Sequence, residues 1–135
     1  MHMNKRAHAM KNLIIGASML ATATVIQAAV PSDFLAKYEG QSGPSSVERG
    51  QKFFTSKHGK AWSCSTCHGN VPNGPGEHVE TQKRIKPLAP AFNPKRFTDE
   101  AKVEKWFKRN CADVLGKECT PQQKADVLAW LLSIK

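Results

Sequence analysis

A small all-α domain is predicted from three features of the sequence. Three segments carry apolar residues at the 3.6-residue period of a helix and begin or end on capping signals. Between two of them, residues 69–97 hold Gly69, Pro72, Gly74, Pro75, Gly76, Pro87, Pro90 and Pro94 and almost no periodic apolar pattern. The third feature is Cys64-Ser65-Thr66-Cys67-His68, two cysteines separated by two residues with a histidine directly behind. Two thioethers that fix a porphyrin edge, with an imidazole placed under its iron, need Cys, Cys and His nearly contiguous. The stretch is therefore read as the attachment signal for one c-type haem, against a redox or zinc motif with an incidental histidine. The haem would supply the core that residues 69–97 lack.

The 135 residues suffice for one domain, expected over 30–135, preceded by a leader at 1–29. Lys5, Arg6 and Lys11 form a positive n-region, Leu13 to Ile26 the apolar run, and Ala28-Ala29 the cleavage site of a secretory signal peptide. A retained anchor needs about 20 apolar residues, so a membrane is expected to be touched only through an uncleaved leader. The mature chain is expected in the periplasm.

Pro31-Ser32-Asp33 opens a short amphipathic turn through Phe34, Leu35 and Tyr38, and the Gly, Ser and Pro of 39–46 read as a linker. Tyr38 is expected to pack on the body of the domain rather than reach the haem. A helix follows from Val47 to about Lys57. Gly50 inside it costs about 1 kcal/mol relative to Ala, which points to close approach by another helix. Such a crossing with a helix at the chain end is the framework of small cytochrome c domains. Trp62 is placed to cover the haem edge, and His68 is the proximal ligand, its free N–H expected to donate to a carbonyl. In the wrap that follows, Ile85, Leu88, Ala89 and Phe92 are expected to face inward. Lys83, Arg84 and Lys86 are expected in solvent, where a propionate partner for one of them stays open.

A second strong helix spans Thr98 to Asn110, with Thr98 as cap, Asp99 and Glu100 at the positive end of the dipole and Lys108 and Arg109 at the other. Val103, Trp106, Phe107 and Asn110 share one face. An amide on an apolar face must find a partner; capping the helix and ligating the iron are both open at this point. With Cys64 and Cys67 consumed by haem in an exported chain, Cys111 and Cys119 most simply form a disulfide, with free thiols as the alternative. Thr120-Pro121-Gln122-Gln123 combines an N-cap, a first-turn proline and a capping-box glutamine. The helix behind it, with Val127, Leu128, Leu131 and Leu132 on one side, should cross the Gly50 helix.

Composition narrows function. All four methionines, Met1, Met3, Met10 and Met19, lie in the leader, so the mature chain has no thioether for its iron and His/Met coordination is excluded. Three of the 20 basic residues lie in the leader and none of the 11 acidic ones, leaving a net charge of +6, or about +4 with two propionates. That mildly basic surface suits an acidic partner protein. Its scattered Lys and Arg, without an aromatic stacking platform, make nucleic acid a poor reading.

Over roughly residues 34–132 the chain resembles the sphaeroides haem protein family, oxygen-binding monohaem c-type cytochromes of class I fold. The resemblance rests on Trp62-Ser63-Cys64 through Gly69, Ile85 through Pro90, Arg96-Phe97-Thr98-Asp99, Val103 through Trp106, Arg109-Asn110-Cys111, and Glu118-Cys119-Thr120-Pro121 through Trp130-Leu131. It implies a class I cytochrome c-like domain with crossed N- and C-terminal helices and long haem-wrapping loops. It also implies that Asn110 is the distal ligand, that Cys111 and Cys119 are bonded, and that a dihaem cytochrome c is the electron donor. Asn110 would bind ferric iron weakly through its amide and leave on reduction, opening a site for oxygen, nitric oxide or carbon monoxide. Trp106 and Phe107 would then line the distal pocket.

Three functions follow as expectations: a periplasmic cytochrome that accepts electrons and binds diatomic gases once reduced; a six-coordinate bis-histidine carrier using His58 or His78; and a haem enzyme acting on oxygen or nitric oxide. For the last, the residues near Asn110, namely Trp106, Phe107 and Arg109, offer no convincing acid or base.

Overall fold

A computed structural model describes residues 29–135. The expected leader lies outside these residues except for Ala29. The order is α1 (Pro31–Ser42), α2 (Val47–Thr55), α3 (Cys64–His68), β1 (Gly76–Glu77), β2 (Arg84–Ile85), α4 (Glu100–Leu115) and α5 (Pro121–Ser133). Helix α5 packs along both α1 and α2, the crossed N- and C-terminal helices of a class I cytochrome c-like fold. Among the described residues no helix is long and apolar enough to cross a membrane.

Helix α1 is longer than its composition suggests. The Val30 N–H donates to Asp33 at 2.9 Å, and Phe34 and Tyr38, one turn apart, are buried in a cluster with Val103, Ala125 and Leu128. That packing carries the helix through Glu39 and Gly40 to Ser42, where a linker was expected; tertiary burial outweighs the weak propensity of Gly and Ser. Gly43, at φ 103°, ends it.

Ser46 caps α2 by accepting from the Arg49 N–H at 3.2 Å. A Cβ on Gly50 would run into the Asp126 carbonyl of α5, so the glycine is what lets the two backbones touch. Asp126 is itself buried and accepts from the Ser46 N–H at 2.7 Å, from two Arg49 donors at 2.8 Å each and from Gln122 at 3.0 Å. These bonds pin the start of α2 to α5.

Helix α4 is capped by Asp99, which accepts from the Lys102 N–H at 3.0 Å, and not by Thr98, whose hydroxyl turns back to the Lys95 carbonyl at 3.1 Å. The helix runs past Asn110 to Leu115 and ends on Gly116 at φ 74°. Asn110 is thus a mid-helix residue, and the capping alternative is removed. Cys111 and Cys119 form a disulfide with Cα atoms 5.5 Å apart, tying α4 to the start of α5. Thr120 and Gln123 exchange backbone-to-side-chain hydrogen bonds at 2.9 and 3.2 Å, completing the capping box of α5.

The wrap, residues 69–97, contains one regular piece that periodicity cannot reveal: β1 and β2 pair antiparallel, Gly76 with Ile85 and Glu77 with Arg84. Two residues per strand are too few to show alternation. The fully buried Pro72 offers its carbonyl to the Leu88 and Ala89 N–H groups at 3.1 and 3.0 Å, closing the wrap on itself. Ala89 is buried and Ile85 and Leu88 are half-buried, as expected; Phe92 is 44% exposed, because its turn lies outside the closed loop.

Candidate haem site

Helix α3 is little more than one turn, and its start is built from hydroxyls. The Ser63 N–H donates to the Thr66 hydroxyl at 3.0 Å, and the Ser63 hydroxyl lies 2.8 Å from that of Ser65 and 3.1 Å from that of Thr66. This cap presents Cys64 and Cys67, both half-buried and outside any disulfide, on the same side as His68. At the far end of α3, strand β1 crosses so closely that a Cβ on Gly76 would collide with the Cys67 carbonyl. Sequence reasoning saw Gly76 only as one loop glycine among several.

The three side chains open into a cleft of about 1320 Å³ of atom-free space, part of it continuous with solvent. Phe54, Val127 and Leu131 form its back, Ile85, Leu88 and Phe97 the wall from the wrap, and Val103, Trp106, Phe107 and Asn110 the wall from α4. Trp62, half-buried, also lines it. Phe97 sits at φ 56°, uncommon for a bulky residue. It packs against both hydrophobic clusters, as does Phe107, so core and cleft share a wall.

Burial, with a smaller contribution from the nearby Arg96 charge, pushes His68 down to about 4. Near neutral pH its imidazole is therefore uncharged, the form that can donate a lone pair to a metal. Burial also pushes the Cys64 thiol up to about 11. The hydrogen bond expected from the His68 ring to a carbonyl is absent among the described residues. The nearby Arg96 donates to the Pro87 and Lys86 carbonyls at 3.0 and 2.7 Å.

Asn110 is half-buried and reaches the cleft from α4; among the described residues its amide makes no hydrogen bond, and its polar atoms are open to solvent in the cleft. One turn earlier Trp106, 46% exposed at the mouth, is flanked by Lys105 and Arg109 with their charges 5.8 and 5.7 Å from its ring. The other histidines are placed differently. His58 stacks on Phe53 at 4.3 Å with Nε2 2.7 Å from the Phe53 carbonyl. His78 lines the cleft two residues after Gly76, on the hairpin packed against α3, and its Nδ1 accepts from Glu80 and Thr81 at 3.3 and 3.4 Å.

No group of three or more His, Cys, Asp or Glu among the described residues could cage a metal unaided. What the site does offer suits a flat prosthetic group: an apolar slot, two thiols to tether its edge, a neutral imidazole beside them and an unpartnered amide. A haem c fits this donor set.

Relatives agree with the geometry. Residues 40–131 match the family described as Domain of unknown function (DUF1924). Cytochrome c-type protein SHP of Cereibacter sphaeroides is 44% identical over 127 residues, covering 90% of this chain and 98% of that protein. Cytochrome c'' of Methylophilus methylotrophus is 45% identical over 92 residues, covering 65% of this chain and 64% of that one. Among solved structures, oxidised SHP, an oxygen-binding cytochrome c, superposes with a TM-score of 0.72 at 45% identity, over 78% of this chain and 97% of its own. Oxidised cytochrome c'' does so with 0.70 at 37% identity, over 78% and 94%. A single haem c is held through the two cysteines of α3, and the chain belongs to the DUF1924 family, within the monohaem c-type cytochromes that include SHP and cytochrome c''.

Proposed function

We propose that this is an exported, periplasmic monohaem cytochrome that accepts electrons and, once reduced, binds a small diatomic gas where Asn110 had been the distal ligand. Residues 1–29 are the secretory leader, cut near Ala28-Ala29, and 30–135 the working domain. Haem c, when bound, would supply an iron that can be ferric or ferrous. Cys64 and Cys67 tether it and His68 is the proximal ligand; Trp62, Trp106 and Phe107 enclose it.

The observation that carries this reading is the unpartnered, half-buried Asn110 amide facing the cleft of His68. The amide makes no hydrogen bond among the described residues and its polar atoms stay open to the cleft, so they are free to serve a group seated there. A neutral amide oxygen is a hard donor that prefers the ferric over the ferrous ion. Reduction would weaken its hold, and the Asn110 side chain would leave a mostly apolar pocket open to oxygen, nitric oxide or carbon monoxide. The oxygen binding of SHP supports this, as does the study of haem-ligand detachment in cytochrome c''. The electron donor is a partner cytochrome, by family likeness a dihaem cytochrome c.

Purified holoprotein should be low-spin when ferric and high-spin when ferrous, and then bind carbon monoxide tightly. Asn110→Ala should remove the ferric low-spin signature and leave carbon monoxide binding in place. A ferrous form that stays low-spin and ignores carbon monoxide sinks the proposal. Bis-histidine coordination finds little support, since His58 is engaged by Phe53 and His78 belongs to the hairpin on the His68 side. Replacing each by Ala should leave both spectra unchanged.

A further inference from the structure

Arg96 is a half-buried cation that lines the cleft. Its Nε and one Nη2 hydrogen are spent on the Pro87 and Lys86 carbonyls at 3.0 and 2.7 Å. Two neutral acceptors fix the fork's direction and leave the remaining Nη hydrogens uncommitted. Among the described residues no carboxylate pairs with it, whereas Arg49 grips Asp126 with two hydrogen bonds. Burial acts on Arg96 unopposed by any acidic neighbour. The guanidinium is partly withdrawn from water with no anion beside it, and its uncommitted Nη atoms are still open to the cleft, so they are placed to take an anion from outside the polypeptide.

Two acids line the cleft, and neither serves. Asp99 is engaged by the Lys102 N–H at 3.0 Å and its ammonium at 2.8 Å. Asp113 lies 14 residues further along α4, about 21 Å away at 1.5 Å per residue. The Arg96 end of the cleft also carries Lys95 and Lys102, so positive charge exceeds negative there. Haem c brings two carboxylates on one edge of an otherwise apolar ring.

We propose that Arg96 pairs through its uncommitted Nη donors with a haem propionate, fixing that edge of the ring at the Arg96 end of the cleft and raising the reduction potential of the iron. The fork suits a carboxylate. A positive charge near the iron disfavours the ferric state, which carries one more positive charge than the ferrous. The proposal needs the haem but not the ligand exchange assigned to Asn110, so either can fail alone.

The test compares holoprotein Arg96→Gln, Arg96→Lys and, as a control on an exposed cation of the same rim, Lys95→Gln. Arg96→Gln should shift the reduction potential negative, move the propionate protonation step in its pH profile upward and alter the propionate bending band in resonance Raman. Arg96→Lys should restore most of the potential, and Lys95→Gln should change it far less. A lowered denaturation midpoint with unchanged potential, pH profile and propionate band would reduce Arg96 to a loop anchor and overturn the proposal. Should Arg96→Gln fail to load haem, the unsubstituted holoprotein decides by nuclear magnetic resonance: slowly exchanging Arg96 Nη protons close to propionate methylenes support the pair, and freely rotating, solvent-exchanging ones refute it.

Discussion

At Asn110 the sequence admits two uses of the same amide, and a residue six positions away removes one of them, the helix cap. Gly116 supplies the left-handed turn that ends α4, so the helix continues through Asn110 and the amide is turned to the cleft instead of to the helix end. Gly76 is a second small residue with a large consequence. Because backbone cannot yield as a side chain tip can, Gly76→Ala should lift the hairpin off α3 and lower the fraction of protein carrying covalent haem, measured by intact mass. Glu104 is the third. Burial would raise its pKa, but hydrogen bonds from Lys124 at 2.8 Å, Lys37 at 2.9 Å and Tyr38 at 3.0 Å hold it at about 2 against an ordinary 4.5. The unfolded chain takes up this proton first, so the contribution is complete above about pH 4.5 and fades as pH falls towards 2. Thermal melts of Glu104→Gln should therefore show a flatter decline across that window than the parent.

Helices announce themselves by period and cap, and this is why α2, α4 and α5 are readable in advance. The Gly50 crossing was legible too, since a glycine inside a good amphipathic helix has little other reason to be there; Gly50→Ala should cost about 1–3 kcal/mol in denaturant unfolding. Helix α1 escaped because Glu39, Gly40 and Ser42 are poor helix formers kept helical by the burial of Phe34 and Tyr38 elsewhere. The cap of α4 was misplaced by one residue, because Thr98 and Asp99 are both good caps and only the competing Lys95 carbonyl separates them. Nor could Arg96 be singled out, since its partners are carbonyls ten and nine residues back across a folded wrap. The cysteines left over from haem attachment did predict their own pairing. Removing the bridge by Cys111→Ala with Cys119→Ala should cost roughly 2–3 kcal/mol through the unfolded state, and it should also blur the ferric spectrum by loosening the turn next to Asn110.

Over the whole molecule, charge and core point the same way. Phe97 and Phe107 line the cleft and are shared by both hydrophobic clusters, so a haem held there would be coupled to the core, and a gas that binds the reduced protein should raise its melting temperature, with about 2.7 kcal/mol of added stability at a hundredfold excess over Kd. Residues 30–135 carry a net charge of +6, which would suit an acidic partner protein, and the rate of reduction by such a protein should fall steeply as salt is raised. Helix α4 adds a matter of timing. It is held at its start by the Asp99 cap and past its middle by the disulfide, and it passes unbroken through Asn110. On the proposed reading, a distal donor seated on such a rod would have no loop to swing and no turn to unwind, so once its bond to the iron is broken it would move aside by rotation about its own side-chain bonds. The delay between electron arrival and gas capture would then be set by the breaking of that bond and by how fast the gas reaches the cleft, and not by movement of the backbone.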